Sequence, residues 1–154
     1  DFGSIHLIPT LCVYMALLPM IYALAYSGNE LNNLDIFATF LAVAAVIIQI
    51  VSDQQMHNFR KNLSEPRTMK SGLWYYSRHP NYFGEILFWF SLFVFALAAN
   101  YSFAWLLIGS LIMYALIAIA SVAMMDKRSL ERRPDFKEYM DSTPAIFINI
   151  FKRG

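Results

Sequence analysis

The sequence is poor in charge and in the residues that hold metals or disulfides. Charged residues make up 15% of the 154 positions, whereas soluble domains carry about 25%. Cys12 is the single cysteine, which excludes an intrachain disulfide and a cysteine metal cluster, so we expect it to fill apolar space. The three histidines at positions 6, 57 and 79 cannot form the histidine boxes of di-iron membrane oxygenases. We therefore expect no metal site.

Several motifs of soluble enzymes are also absent. The six glycines are scattered and form no GxGxxG, so a nucleotide would not be held in a Rossmann turn. The sequence contains neither HExxH nor GxSxG, the patterns of zinc proteases and of serine hydrolases. The first apolar run lacks a basic leader and a cleavage site, so it is not a signal peptide. Because the chain starts at Asp1, we expect it to be a fragment of a longer protein.

Long runs without any formal charge are what the sequence has instead. They are Ile5–Tyr26, Ile36–Ser52 and Ile86–Met125. A helix needs about 20 apolar residues to cross the hydrocarbon core, and the third run is long enough for two crossings with a tight turn at residues 100–102. The sequence therefore predicts an all-α, polytopic transmembrane helical bundle of about four spans, in a single domain over residues 1–154.

Shorter elements are expected between and after the spans. Leu73–His79 is predicted to be an amphipathic segment in the membrane interface, since Trp74 and its tyrosine neighbours suit the headgroup level. The last span should end near Met125 and be followed by a charged, helical tail that Pro134 interrupts. The apolar segment Ala145–Phe151 is too short to span a membrane, so it should lie on the surface or pack back.

Positive charge is confined to two regions of the chain. Of the twelve lysines and arginines, five lie between Arg60 and Arg78 and seven between Lys127 and Arg153. Cytoplasmic loops are enriched in these residues. We therefore predict an integral protein, of a bacterial inner membrane, whose loop 53–80 and C-terminus face the cytoplasm. Membrane lipid is an expected partner and nucleic acid is not.

Two sets of polar residues lie at one membrane depth. Gln49, Asp53, His57 and Arg60 share one helix face where the second span ends, which indicates either a solvated helix end or the polar wall of a pocket. In the third span Asn81, Glu85 and Trp89 also share a face. A carboxylate at this depth is costly, so Glu85 must pair with Arg60 or Arg78, take up a proton, or bind a ligand.

The basic tail admits two interpretations. Its cations are Lys127, Arg128, Arg132, Arg133 and Lys137. Basic residues beside a span attract anionic lipid and set topology. Alternatively, the arginines bind phosphate as a planar fork of donors.

One run makes the sequence recognisable. Gly72-Leu73-Trp74 followed by Ser77-Arg78-His79-Pro80-Asn81-Tyr82-Phe83-Gly84-Glu85 resembles the C-terminal half of the steroid 5-alpha-reductase family, closest to its bacterial DUF1295 branch. The similarity extends upstream to Ser52-Asp53 and Phe59-Arg60, and downstream to Met125-Asp126-Lys127-Arg128, Arg133-Pro134-Asp135-Phe136, Tyr139 and Thr143. It covers about 110 residues from Gln49 onward.

The resemblance implies a membrane-embedded, NADPH-dependent reductase of an enone C=C bond in a lipophilic substrate. The substrate could be steroid-like, another isoprenoid or a fatty enoyl compound, and the oligomeric state stays open. NADPH would enter from the cytoplasm, and the expected cofactor-binding residues are Asp53, Arg60, Arg67, Arg78, His79, Asn81, Tyr82 and Glu85. The family's polarising Glu and Tyr come from earlier helices, so no catalytic residue is assigned here. This chain would be the C-terminal, cofactor-binding part of the enzyme.

Two other functions remain open at this point. Arg-His-Pro-x-Tyr also occurs in isoprenylcysteine and phospholipid methyltransferases, which bind S-adenosylmethionine. Those enzymes carry a Glu-Glu pair after the last span, where this sequence has Asp126-Lys127. A non-catalytic membrane scaffold would explain the spans but not the shared polar face. The pairs Asp53/Arg60 and Asn81/Glu85 favour the reductase.

Overall fold

The computed structural model describes residues 2–26, 30–61 and 67–147, and every regular element within those ranges is a helix. Four helices are long and apolar enough to cross a membrane. They are α1 (Phe2–Tyr26), α2 (Asn33–Lys61), α4 (Pro80–Ala99) and a composite helix over Tyr101–Arg132. The predicted all-α transmembrane bundle is confirmed, and the chain is an integral membrane protein.

The composite helix changes its winding along its length. It starts as a 3₁₀ helix over Tyr101–Leu106, continues as α5 (Leu107–Ala115), widens to a π-helix over Leu116–Val122 and ends as α6 (Ala123–Arg132). Arg133 and Pro134 then break the chain before α7 (Phe136–Ser142). The helical tail and its interruption at Pro134 were predicted, and α6 continues the last span without a break to Arg132.

Close packing of α4 on α2 aligns the two polar faces. A Cβ atom at Gly84 would lie 2.8 Å from the Ala45 carbonyl oxygen and 2.8 Å from Gln49 Cγ. Such a separation is shorter than van der Waals contact, so only glycine permits this approach of the backbones. Gln49 is thereby packed against α4, and the residues one and two turns further along α2 face the first turn of α4.

The segment predicted to lie in the membrane interface is shorter and more buried than expected. Only α3 (Leu73–Tyr76) is helical there. Trp74 is 8% exposed, and its indole N–H donates to the Ser52 carbonyl at 3.1 Å. A tryptophan whose N–H finds a partner can be buried in the protein interior, so Trp74 packs within the fold, and its depth in the membrane stays a prediction.

The end of the described chain packs back on the start of α4. The backbone N–H groups of Arg78 and His79 donate to the carbonyls of Pro144 and Ala145 at 2.9 and 3.0 Å. Ile146 is buried in a cluster with Ile117 and Val122 of the composite helix. Of the two alternatives predicted for Ala145–Phe151, packing back on the protein is the one observed at residues 145 and 146. Residues 148–151 lie outside the described ranges.

Candidate functional site

A polar cavity of about 350 Å³ lies at the end of the bundle where α2 finishes and α4 begins. Its walls come from α2, the residues before α4, the first turn of α4, the end of the composite helix and α7. The residues that line it are Asp53, Met56, His57, Arg60, Thr68, Met69, Trp74, Arg78, His79, Asn81, Tyr82, Met125, Ser129, Arg133, Phe136 and Tyr139.

The α2 wall follows from helical spacing. Asp53, His57 and Arg60 recur every three or four residues, which places them on one side of a helix, and all three line the cavity. The pocket-wall interpretation of this face is the one that the geometry favours over a merely solvated helix end. Gln49, the fourth member of the predicted set, packs against Gly84 instead.

Asn81 brings an unsatisfied acceptor to the cavity. It lies in the first turn of α4, immediately after Pro80, which starts the helix at the position where a missing N–H costs nothing. Its Oδ1 atom is buried, and no described residue donates a hydrogen bond to it. A buried acceptor without a partner costs roughly 1–3 kcal/mol. Asn81 lines the cavity, so a rotation of its side chain would bring this enclosed acceptor to a ligand donor.

Arg78 and His79 are fixed from behind by one buried carboxylate. Asp126 is 9% exposed; its Oδ2 accepts from Arg78 Nη2 at 2.7 Å, and its Oδ1 lies 2.9 Å from His79 Nε2. The other terminal nitrogen of Arg78, Nη1, donates to the carbonyls of Met140 and Thr143 at 3.0 and 2.6 Å. Arg78 thus joins three parts of the chain, and both of its terminal nitrogens are engaged within the fold.

Tyr139 and Ser77 add further bonds between the same two segments. The Tyr139 hydroxyl donates to the carbonyls of Trp74 and Ser77, and burial raises the pKa of that hydroxyl above its ordinary value. Ser77 Oγ donates to the Ile146 carbonyl at 2.9 Å. These two segments, which form the roof of the cavity, are therefore held together by buried hydrogen bonds. Leaving such bonds partly unsatisfied is costly.

Two of the expected cofactor residues lie outside this cavity. Asp53, Arg60, Arg78, His79, Asn81 and Tyr82 line it, whereas Glu85 and Arg67 do not. Glu85 is half-buried one turn deeper along α4, and no described cation lies within 4.0 Å of its carboxylate. Glu85 is thus not among the lining residues, and Asp126 rather than Glu85 is the ion-pair partner of Arg78.

Arg67 belongs to a basic groove that adjoins the cavity. The groove has a volume of about 580 Å³ and is lined by Met56, Phe59, Arg60, Arg67, Met125, Arg128, Ser129, Arg132 and Arg133. Five of these residues also line the cavity: Met56, Arg60, Met125, Ser129 and Arg133. The cavity and the groove are therefore neighbouring parts of one space.

The arginines of the groove lack acidic partners in the described ranges. None of the five makes an ion pair within 4.0 Å there. Burial lowers the pKa of the Arg133 guanidinium, and the charges of Arg60 and Arg132 lower it further against the opposing pull of Asp135. Like charges held this close favour an anion between them.

Asp135 fastens the chain in front of α3 to the tail. It accepts from the Thr68 backbone N–H at 3.1 Å and from the Thr68 hydroxyl at 2.8 Å. Partial burial acts to raise the pKa of this carboxyl, but the Thr68 hydrogen bonds outweigh it, so the pKa lies below its ordinary value. This contact places Thr68 and Met69 in the cavity wall.

Sequence reasoning missed Asp126 as part of the site. Its partners lie 47 and 48 positions earlier, and no local spacing connects them. One signal was available, because Asp126 is the first charge after the uncharged run that Glu85 precedes. A carboxylate at that depth needs a partner, and the same reasoning that singled out Glu85 applies to Asp126.

Comparison with known proteins places the chain in a family whose function is not established. The chain is 26% identical over 171 aligned positions to the "Uncharacterized protein C594.04c" of Schizosaccharomyces pombe (strain 972 / ATCC 24843), with 93% of this chain and 47% of that protein covered. The chain thus spans about half the length of this curated relative. No solved structure matches it. The family model "Protein of unknown function (DUF1295)" matches residues 1–143, so the similarity begins well before Gln49, and the chain belongs to the DUF1295 family.

Proposed function

We propose that the cavity and the groove together bind NADPH, and that the protein reduces a C=C bond conjugated to a carbonyl in a lipophilic substrate. The observation that carries this proposal is the joined space itself. A polar cavity with an unsatisfied amide oxygen opens into a groove with five arginines and no acidic partner in the described ranges. An elongated ligand that is polar at one end and carries several phosphates at the other fits this distribution.

The arginines favour a dinucleotide over S-adenosylmethionine. Guanidinium groups match phosphate oxygens through paired hydrogen bonds, and NADPH carries three phosphates. S-adenosylmethionine carries a sulfonium cation and one carboxylate. Five arginines would repel the cation, and one carboxylate offers too few acceptor oxygens for five guanidinium groups. Arg60, Arg67, Arg128, Arg132 and Arg133 would hold the phosphates, while Asn81 and Tyr82 would contact the part that enters the cavity.

The chain's own residues would bind and orient rather than react. Asp53 accepts hydrogen bonds from hydroxyl groups in the cavity, and the Asn81 amide oxygen accepts one more. When bound, NADPH supplies the hydride. The apolar substrate, steroid-like or isoprenoid, would reach the site from the bilayer. Glu85, deeper on α4 and without a described ionic partner, lies on the substrate side of the cofactor residues.

The orientation in the membrane is part of the same proposal. We propose that the end of the bundle with the cavity faces the cytoplasm, because the lysines and arginines of the chain cluster there and because NADPH is a cytoplasmic cofactor. A cysteine introduced at exposed Ser142, in a Cys12→Ser background, should react with a membrane-impermeant maleimide only after the membrane is opened. Labelling from the outside of intact cells would reverse the orientation.

The binding proposal is tested by titrating NADPH and S-adenosylmethionine into the purified full chain by calorimetry. Arg60→Ala should weaken NADPH binding about 10- to 100-fold, because losing a charge-assisted hydrogen bond costs roughly 1.5–3 kcal/mol. Lys137→Ala removes an exposed cation that pairs with Asp141 outside the groove, so it should leave the affinity unchanged. Tight S-adenosylmethionine binding without NADPH binding would replace the reductase by a methyltransferase.

A further inference from the structure

The pair formed by Asp126 and His79 has a chemistry that cofactor binding does not use. His79 is 7% exposed and lines the cavity, while Asp126 lies behind it and not in the cavity wall. A buried carboxylate bonded to a histidine at the wall of a polar cavity is an arrangement that orients an imidazole for proton transfer.

Arg78 determines the protonation of this pair. Its guanidinium cannot lose its proton. The 2.7 Å contact with Asp126 Oδ2 therefore balances the negative charge of the carboxylate and keeps it ionised whatever the state of His79. The proton between Asp126 Oδ1 and His79 Nε2 therefore belongs to the imidazole. In its neutral form His79 carries that proton on Nε2, and the atom that gains or loses the second proton is Nδ1.

Nδ1 is reached from the cavity. It makes no hydrogen bond to any described residue, and it is not one of the buried atoms without a partner, which are Arg78 Nε, Asn81 Oδ1 and Trp89 Nε1. The imidazole is also fixed in orientation, because its ring stacks on Tyr82 with centroids 5.3 Å apart and a tilt of 20°. Because His79 lines the cavity, we infer that Nδ1 faces it.

Reduction of a C=C bond adds one hydride and one proton. On the proposed reductase function, the hydride comes from NADPH and a proton must come from elsewhere. We propose that His79 supplies this proton from Nδ1 and that Asp126 is its positioning residue. The protonated imidazole gives its Nδ1 proton to the carbon next to the carbonyl, becomes neutral, and regains a proton from water that enters through the groove. This inference rests on the proposed function.

His57 provides the matched control. It lines the same cavity from α2, is exposed, and makes no ion pair with a carboxylate in the described ranges. Asp126 on α6 contacts His79 from behind, and the other titratable or charged groups that line the cavity with it are Asp53, Arg60, Arg78, Tyr82, Arg133 and Tyr139. A histidine held by a carboxylate should show one ring form at position 79, whereas position 57 should show a mixture.

The first measurement uses the unmodified full chain in lipid nanodiscs and needs no cofactor. Nitrogen-15 spectra of the histidine rings at pH 8.5 should show His79 in the form protonated on Nε2, and Asp126→Asn should convert it to a mixture of both forms. His57 should be a mixture in both proteins. A His79 ring protonated on Nδ1 in the unmodified protein would overturn the assignment.

The second measurement follows NADPH oxidation with testosterone as the enone probe, from pH 5.5 to 9. His79→Gln should lower kcat by about 10²- to 10⁴-fold, the range for a lost general acid, with NADPH affinity within about threefold, and should abolish the decline in rate at alkaline pH. Lys137→Ala, at an exposed residue outside the cavity and the groove, should change kcat less than about threefold. Hydride transfer that is equally fast in the two variants would overturn the proton donor alone, whereas absence of NADPH binding to the unmodified chain would overturn the reductase.

Discussion

The two ends of the bundle carry charge in opposite ways. At the end without the cavity, a pocket of about 270 Å³ lies between α1, the start of α2 and the end of α4, with Glu30, Asn32 and Asp35 among its otherwise apolar lining. Asn32 Oδ1 accepts from the N–H groups of Leu34 and Asp35, and Asp35 accepts from the Asn32 N–H. Asn32 and Asp35 thus cap α2 and are satisfied within the fold.

The end with the cavity leaves much of its charge unpaired within the described ranges. Five arginines meet in the groove without an acidic partner there, and Asn81 Oδ1 is buried without a donor. The contrast teaches that charge at one end of this membrane protein stabilises helix termini, while at the other it remains available to a ligand. Arg78 marks the boundary, since it lies in the cavity wall and yet is engaged within the fold.

Of the predicted changes, removing Asp126 should have the largest effect on the free energy of unfolding. Asp126→Ala leaves the buried Arg78 guanidinium without its carboxylate, and breaking a buried pair from one side costs about 3–5 kcal/mol. The measurement is thermal unfolding in detergent, followed by circular dichroism. Asp141→Ala is the control, because it breaks an exposed pair with Lys137 that contributes at most about 0.5 kcal/mol. Equal losses in the two variants would mean that the buried pair does not hold the roof of the cavity.

Changing Asn32 sharpens the comparison from the opposite end. Asn32→Ala removes the cap of α2 and the 2.9 Å bond from its amide to the Ala98 carbonyl, which should cost about 1 kcal/mol in the same unfolding measurement. NADPH affinity should stay within about twofold, since the pocket lies at the far end of the membrane. A marked loss of affinity would show that the two ends are coupled.

The smallest predicted effect concerns Thr68 and its dependence on pH. Because the folded-state pKa of Asp135 is lowered, its contribution is present above the ordinary carboxyl range and is lost as the pH falls through the folded pKa. Thr68→Val removes the hydroxyl bond and keeps the backbone bond, so it should cost less than about 1 kcal/mol at neutral pH. The difference from the unmodified protein should shrink towards zero as the pH falls through the lowered pKa of Asp135. A difference that does not change with pH would exclude Asp135 as its origin.

The sequence predicted what local pattern determines. Uncharged runs identified the spans, and helical spacing placed Asp53, His57 and Arg60 on one face. Each of these predictions depends only on a single helix and the solvent around it. The site's supporting contacts could not be predicted in this way. Asp126 finds Arg78, and Thr68 finds Asp135, across 48 and 67 positions, and these pairings depend on how the helices pack.

Packing also explains why Trp74 is more buried than expected. Its aromatic character predicts the headgroup level, but the Ser52 carbonyl lies within reach of its N–H once α3 folds against α2. The cofactor set was predicted from the family resemblance, and it divides in the structure between the cavity, the groove and, for Glu85, neither. A motif identifies residues that belong together along the chain, whereas the fold decides which of them share a surface.

The π-helix over Leu116–Val122 has a consequence for how the length of the last span can vary. A π-helical turn accommodates one extra residue within a helix and often arises as an insertion. Deleting one residue inside this segment would let the turn revert to α-helix while Asp126 keeps its direction towards Arg78 and His79. The same deletion in α5 would rotate everything after it by about 100° and turn Asp126 away. Single-residue gaps among natural variants of this chain should therefore be tolerated at residues 116–122 and avoided at residues 107–115.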